Sequence, residues 1–104
     1  MALPPARDHK ITLAEAVALT RRFRETANPK TERGGMFHRA QVDQLLAQAG
    51  CVGLRFYQGR NADGSAAIVL VGVDAQGNDM TDGDILERQY PCPPYCGDLD
   101  GLNS

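Results

Sequence analysis

The residues with the most chemical potential stand near the C-terminus, in the run YPCPPYCG from Tyr90 to Gly97. Cys92 and Cys96 lie four positions apart, among Pro91, Pro93 and Pro94 and beside Tyr90 and Tyr95. Three chemistries fit the pattern. Two thiolates suit a soft metal such as Zn or Cu, but they leave a zinc site half built, so His9, His38 or a second copy would have to complete it. The pair could instead cycle between dithiol and disulfide, although its spacing is one residue longer than CxxC and no helix start stands nearby to lower a thiol pKa. The third reading is a structural clasp or docking peptide. In it the cysteines act as small hydrophobes, the prolines fix a polyproline-like path, and Tyr90 and Tyr95 pack on a sheet face. The clasp is carried forward, with the thiol-based metal or redox protein centred on Cys92 and Cys96 as the alternative.

Other reactive arrangements are sparse. The acidic loop 74–84, DAQGNDMTDGD, invites comparison with a calcium loop. Counted from Asp74, however, Asp79 falls where the glycine belongs and Ile85 where the bidentate Glu belongs. The acids are better read as turn formers and caps. No G-x-S-x-G elbow, P-loop or dinucleotide fingerprint occurs. His38 has no nucleophile or carboxylate partner that the sequence can name. Gly34-Gly35, with Arg33 and Arg39, could offer backbone N–H groups to an anion but reads first as a connection. Cys51, after Gly50, reads as a small buried residue. No cofactor is expected beyond the soft metal of the alternative, and a non-enzymatic protein is favoured.

The elements that must position these residues are legible from periodicity. Thr12-Leu-Ala-Glu15 matches a capping box. Leu13, Ala16, Val17, Thr20, Phe23 and Ala27 then recur at helical steps until Asn28-Pro29, which predicts a helix within 11–27. Val42, Leu45, Leu46 and Ala49 share a face ahead of Gly50, which predicts a second helix over 37–49. Residues 51–73 hold the densest β-branched and aromatic content around the turn signal Asn61-Ala-Asp-Gly64, and predict a β-hairpin. With an even-numbered loop, Val52, Leu54 and Phe56 would share a face with Val69, Val71 and Val73, turned toward both helices. The opposite face would carry Arg55, Tyr57, Ile68 and Leu70. Since two-stranded sheets are marginal, a third strand is expected within 85–90, or pairing across a homodimer.

These parts describe a single α+β domain over 1–104. It has a frayed arm (1–10), two N-terminal helices packed on a small antiparallel sheet, an acidic stretch (74–90) and a Pro/Cys tail (91–104) with no order expected past Gly97. At 104 residues with 42% hydrophobic and 23% charged composition, the chain falls in the globular range. The absence of tryptophan, with three Phe and three Tyr, makes the core aliphatic. The first ten residues lack a signal-peptide pattern and no apolar run could span a bilayer, so a soluble cytoplasmic protein is expected. Three cysteines, an odd number, argue against an extracellular disulfide framework.

The net charge of −2 is divided. Residues 1–39 carry eight Lys/Arg against four acids, giving +4, and residues 40–104 carry three Arg against nine acids, giving −6. The basic part reads as a solvated helix face, and the lack of any recognition motif disfavours nucleic acid. The runs GCVGLRFYQG, IVLVGVDAQGNDM and PCPPYCG together resemble a group of short uncharacterised bacterial proteins with the same order of parts. The likeness spans the second helix through the tail and carries no catalytic residue or substrate. The cysteine spacing also resembles, over five residues, the copper site of Sco-type chaperones. The expected function is a protein-binding or adaptor module that self-associates. Its surface would be the outer hairpin face and tail: Arg55, Tyr57, Ile68, Leu70, Tyr90 and Tyr95.

Overall fold

The computed structural model describes residues 3–28 and 31–103. It divides the chain into two compact units, one built from residues 1–5 and 37–89, the other from residues 6–36 and 90–104. Among the described residues they hold two helices and two antiparallel sheets, an α+β composition.

The first unit is organised on the hairpin. Strands β2 (Cys51–Arg60) and β3 (Ala66–Asp74) pair antiparallel, and β4 (Ile85–Leu86) adds to the far side of β3, giving the order β2-β3-β4. The third strand thus forms within the stretch expected for it. The central strand β3 supplies most of the core: Ala67, Leu70, Val71 and Val73 are buried, as is Leu45 of helix α2 (Arg39–Leu46). Helix α2 is shorter than the 37–49 pattern because Ala47 already serves as its C-cap, and Gly50 takes a left-handed φ of 84° at the turn into β2. Gln48 ties the end of α2 to the acidic loop. Its Nε2 donates to the Leu45 carbonyl at 2.7 Å and its Oε1 accepts from the Asp84 N–H at 2.9 Å.

The hairpin register corrects the expected one. Arg60 lies opposite Ala66, Phe56 opposite Leu70, Arg55 opposite Val71 and Gly53 opposite Val73. The cause is the turn. The Asn61 N–H donates to Ser65 O at 2.8 Å, the Gly64 N–H donates to Asn61 O at 2.9 Å, and Gly64 sits at φ 89°. This is the three-residue loop with a left-handed glycine bulge, which adds one residue to the even-numbered connection. A one-residue slip transfers the whole of β3 to the other face. Leu54 and Phe56 therefore share a face with Ile68, Leu70 and Gly72, whereas Arg55 and Tyr57 share the other with Val69, Val71 and Val73. Val52 stands at a register irregularity between Cys51 and Gly53.

The Leu54 face is the α2 face. A Cβ on Gly72 would stand 3.0 Å from Gln48 Nε2, 3.2 Å from Cys51 Sγ and 3.3 Å from Met80 Sδ, so a larger residue here would have to push these side chains back by a few tenths of an ångström.

The second unit holds helix α1 (Leu13–Thr26), strand β1 (Gly34–Met36) and strand β5 (Tyr90–Cys92). α1 begins as its sequence predicts: Glu15 N–H donates to Thr12 Oγ1 at 3.1 Å, and the Thr12 N–H donates to Glu15 Oε1 at 3.1 Å. The helix stop assigned to Pro29 lies outside the described residues; within them, the chain leaves the helix at Ala27, which is extended. Of the two helices expected on the hairpin, α2 alone shares its unit. α1 belongs to the unit in which β1 pairs with β5, with Gly34 opposite Cys92 and Met36 opposite Tyr90. β1 lies where a plain polar loop was expected.

Candidate functional site

The outer hairpin face anticipated from sequence is divided by the register. Arg55 and Tyr57 stay together on one face, while Ile68 and Leu70 lie on the other, with Leu70 buried. Tyr90 and Tyr95 belong to the second unit, where their rings meet edge to face at 5.2 Å between centroids.

Arg55 and Tyr57 converge on a residue not singled out in advance. Asp79 accepts from Arg55 Nη1 through Oδ1 at 2.5 Å and from Tyr57 Oη through Oδ2 at 2.5 Å, and Arg55 Nη1 also donates to the Gly77 carbonyl at 3.2 Å. Asp79 reaches this position because the Asp74–Asn78 turn folds back, bringing Asp79 opposite Val73 in a single bridge. That turn is closed by the Asp74 carboxylate, which accepts from the N–H groups of Gln76 and Asn78 at 3.0 and 2.9 Å. Arg55 starts opposite Val71 and its partner Asp79 stands opposite Val73, so the ion pair crosses β3 above two buried valines. The apolar stem of arginine suits that path.

The charges follow. The Tyr57 hydroxyl, then the Arg55 guanidinium, hold the Asp79 carboxyl below the usual range. The bond to Asp79 pushes the Tyr57 phenol up and raises the Arg55 guanidinium further. With both Asp79 oxygens engaged and the phenol stabilised in its neutral form, the trio works as a lock on the 74–79 turn. It offers neither an activated nucleophile nor a base poised near neutral pH.

The exposed apolar surface of this unit lies at the other edge of the sheet. β2 is an edge strand ten residues long. Its Val52, Leu54 and Phe56 are 58, 42 and 59% exposed. A groove of about 300 Å³ runs along it, lined by Leu3, Val52, Leu54, Phe56 and Val73 with Gly53 and Arg55. Natural edges are usually protected by lysine, proline or inward charges. The middle of β2 has only Arg55, which Asp79 occupies.

In the second unit Cys92 and Cys96 are joined as a disulfide with Cα atoms 4.8 Å apart, and Cys51 is the free cysteine. The bond closes a loop in which the Cys92–Pro93 and Pro93–Pro94 peptides are cis. The Tyr95 N–H donates to Pro91 O at 2.8 Å and the Arg33 N–H to Cys92 O at 2.6 Å. Past Gly97, where no order was expected, Asp100 Oδ1 accepts from the N–H groups of Leu102 and Asn103 at 2.8 and 3.0 Å. Arg24 donates to Leu102 O at 2.8 Å, and Arg33 donates to Asn103 O. A cleft of about 240 Å³ remains between Leu19, Phe23, Arg33 and Leu102.

The sulfurs of Cys92 and Cys96 are bonded to each other and so are not thiolate ligands in this state. Among the described residues, no group of three or more His, Cys, Asp or Glu side chains could hold a metal ion. No helix of the described residues is long and apolar enough to cross a membrane.

Alternation within 51–73 could have pointed to the edge groove once the loop length was known. Nothing in the sequence singles out Asp79 from the other acids of 74–84. Compared with protein-family models, curated proteins and solved structures, the chain gives no match.

Proposed function

We propose that this chain is a protein-binding module that accepts an extended strand along the free edge of β2, self-association included. The observation that carries the reading is a ten-residue edge strand with Val52, Leu54 and Phe56 exposed beside a groove. Strand addition draws affinity from main-chain hydrogen bonds and specificity from pockets for alternate side chains, and β2 offers both. The Arg55–Asp79–Tyr57 bonds tie the 74–79 turn to β2 behind this edge, and an edge that is already ordered adds little ordering cost when a partner strand docks.

The test is a differential affinity purification from the cells that make the protein. Wild type is compared with Leu54→Lys and Phe56→Lys, which place a charge at exposed positions of the edge. Specific partners, or the chain itself, should be recovered with wild type and lost with both variants. An unchanged partner set would refute the reading.

The disulfide favours a second reading, a thiol-based protein centred on Cys92 and Cys96. In it, a dithiol carrier reduces the bond, becoming a disulfide itself and leaving two thiols that can hold Zn or Cu. Incubation with a reduced dithiol carrier should then yield two new thiols per chain and one oxidised carrier, and elemental analysis of the reduced protein should show metal that the Cys92→Ser/Cys96→Ser variant lacks. If neither is observed, this reading is refuted.

A further inference from the structure

We infer that residues 3–5 form a displaceable cover on the β2 groove, which an extended partner segment must lift before it can add to the edge. This rests on the edge-strand reading above. It adds the gate in front of that edge and the chemistry of the segment that opens it.

The cover is made by one side chain. Leu3 lines the groove together with Gly53, Leu54, Phe56 and Val73, and at 39% exposed it has most of its surface turned from solvent. Residues 3–5 group with the hairpin's unit, whereas from residue 6 the chain belongs to the other. Gly53 leaves room for an apolar side chain: nothing stands within 4 Å of a Cβ built there, and the groove reaches past it to the buried Val73. Covering an edge with a loop is one way natural sheets keep it from stray pairing. The middle of β2 has no other guard than Arg55, which Asp79 holds.

The cover cannot replace a strand. Pro4 and Pro5 have no N–H to give, and among the described residues no main-chain hydrogen bond joins 3–5 to β2. Leu3 therefore takes side-chain space without using the main-chain groups of the edge. An extended segment with a leucine-like side chain and no proline beside it offers the same apolar contact and the main-chain bonds as well. That difference drives the exchange toward the partner. A cover held by one partly buried leucine lowers a competitor's apparent affinity by about threefold to tenfold, since the segment binds only those chains in which the groove is open.

The probe is an acetylated peptide of residues 3–8 carrying Pro4→Thr and Pro5→Thr, which supplies both missing N–H groups. It is titrated to about 1 mM into the isotope-labelled full chain and followed by amide NMR shifts. Before any peptide is added, Leu3→Ser should shift the amides of Gly53, Leu54, Phe56 and Val73 and leave those of Tyr95 and Cys96 in place. The peptide should bind Leu3→Ser about threefold to tenfold more tightly than wild type. Gly53 does not take a left-handed φ, so Gly53→Leu should fill the groove without backbone strain. That variant should bind the peptide more weakly than either chain, with an unchanged circular dichroism spectrum to show that it is folded. Groove amides unmoved by Leu3→Ser overturn the inference. So does a peptide that binds wild type and Leu3→Ser alike, or neither, or that binds Gly53→Leu as well as Leu3→Ser. If the inference fails in one of these ways while affinity purification still loses partners with Leu54→Lys, the edge-strand function stands without its cover. A partner set indifferent to Leu54→Lys removes both, because no segment is then left to gate.

Discussion

Leu45→Ala isolates the contact that docks α2 on the sheet. Leu45 is 0% exposed and is the one large side chain in the described core with no contact to solvent, whereas its neighbour Leu46 is 41% exposed. Truncation to alanine removes three carbons, worth roughly 2.4 kcal/mol at about 0.8 kcal/mol for each buried methylene. The vacated space adds a cavity penalty and brings the loss to about 3–4 kcal/mol. A unit of this size has a total stability of roughly 3–9 kcal/mol, so the substitution should remove about a third of it or more. The backbone bonds of Leu45 are untouched: its carbonyl still receives Gln48 Nε2. The loss therefore reports side-chain packing. Hydrogen exchange read by mass spectrometry at Val71 and Val73 in β3 gives the free energy of opening locally, in the unit concerned. Leu46→Ala should cost under about 1 kcal/mol in the same assay. Equal effects at the two positions, or a Leu45→Ala loss below about 1 kcal/mol, would refute the packing argument.

Four further outcomes are expected. The Asp79 carboxyl is depressed in the folded chain, so its contribution is present above the unfolded carboxylate pKa and is lost as pH falls through the folded value; Asp79→Asn should flatten the acid limb of stability. The same variant should return the Tyr57 phenol, which Asp79 pushes up, toward its ordinary range in an ultraviolet titration, and an unmoved phenol would contradict the lock. In the second unit, a Cβ at Gly101 would stand 2.6 Å from Val17 Cγ2, so Gly101→Ala should cost about 1–3 kcal/mol, seen as faster exchange at Leu102 and Asn103, and unchanged exchange would count against that contact. Thiol titration of protein purified without reductant and unfolded in denaturant should find one reactive thiol, Cys51, rising to three after dithiothreitol; three thiols at the outset would mean that Cys92 and Cys96 do not hold the bond.

Local signals were read well where a few adjacent residues decide the outcome. Thr12 and Glu15 make both bonds of the capping box because each needs only the other and one turn of backbone. The hairpin was recognisable from its composition, but its register depended on whether Gly64 counts as the last turn residue or as a bulge. That difference of one residue moved Ile68 and Leu70 away from Arg55 and Tyr57, and with them the expected binding face. Strands β1 and β5 gave no sign of themselves, since Gly34-Gly35-Met36 and Tyr90-Pro91-Cys92 are poor strand formers whose pairing spans more than fifty positions. Asp79 was hidden for a similar reason. Its partners, Arg55 and Tyr57, lie on a strand more than twenty residues earlier and face it only once the 74–79 turn closes.

The pairing of Met36 with Tyr90 has a thermodynamic consequence for the chain between them. Residues 37–89 leave and return at adjacent positions of one two-stranded ribbon, as an inserted segment does. If that segment is unfolded, closing the ribbon confines a long flexible loop, at an entropic cost of about 3.5 kcal/mol on the (3/2)RT ln n scaling. If it is folded with its ends already neighbours, that cost has been met. The short β1–β5 ribbon, with only three residues in each strand, would then owe much of its persistence to order in a stretch of chain that supplies neither strand. Replacing 37–89 by a tight turn should preserve the ribbon, whereas destabilising 37–89 in place should loosen it.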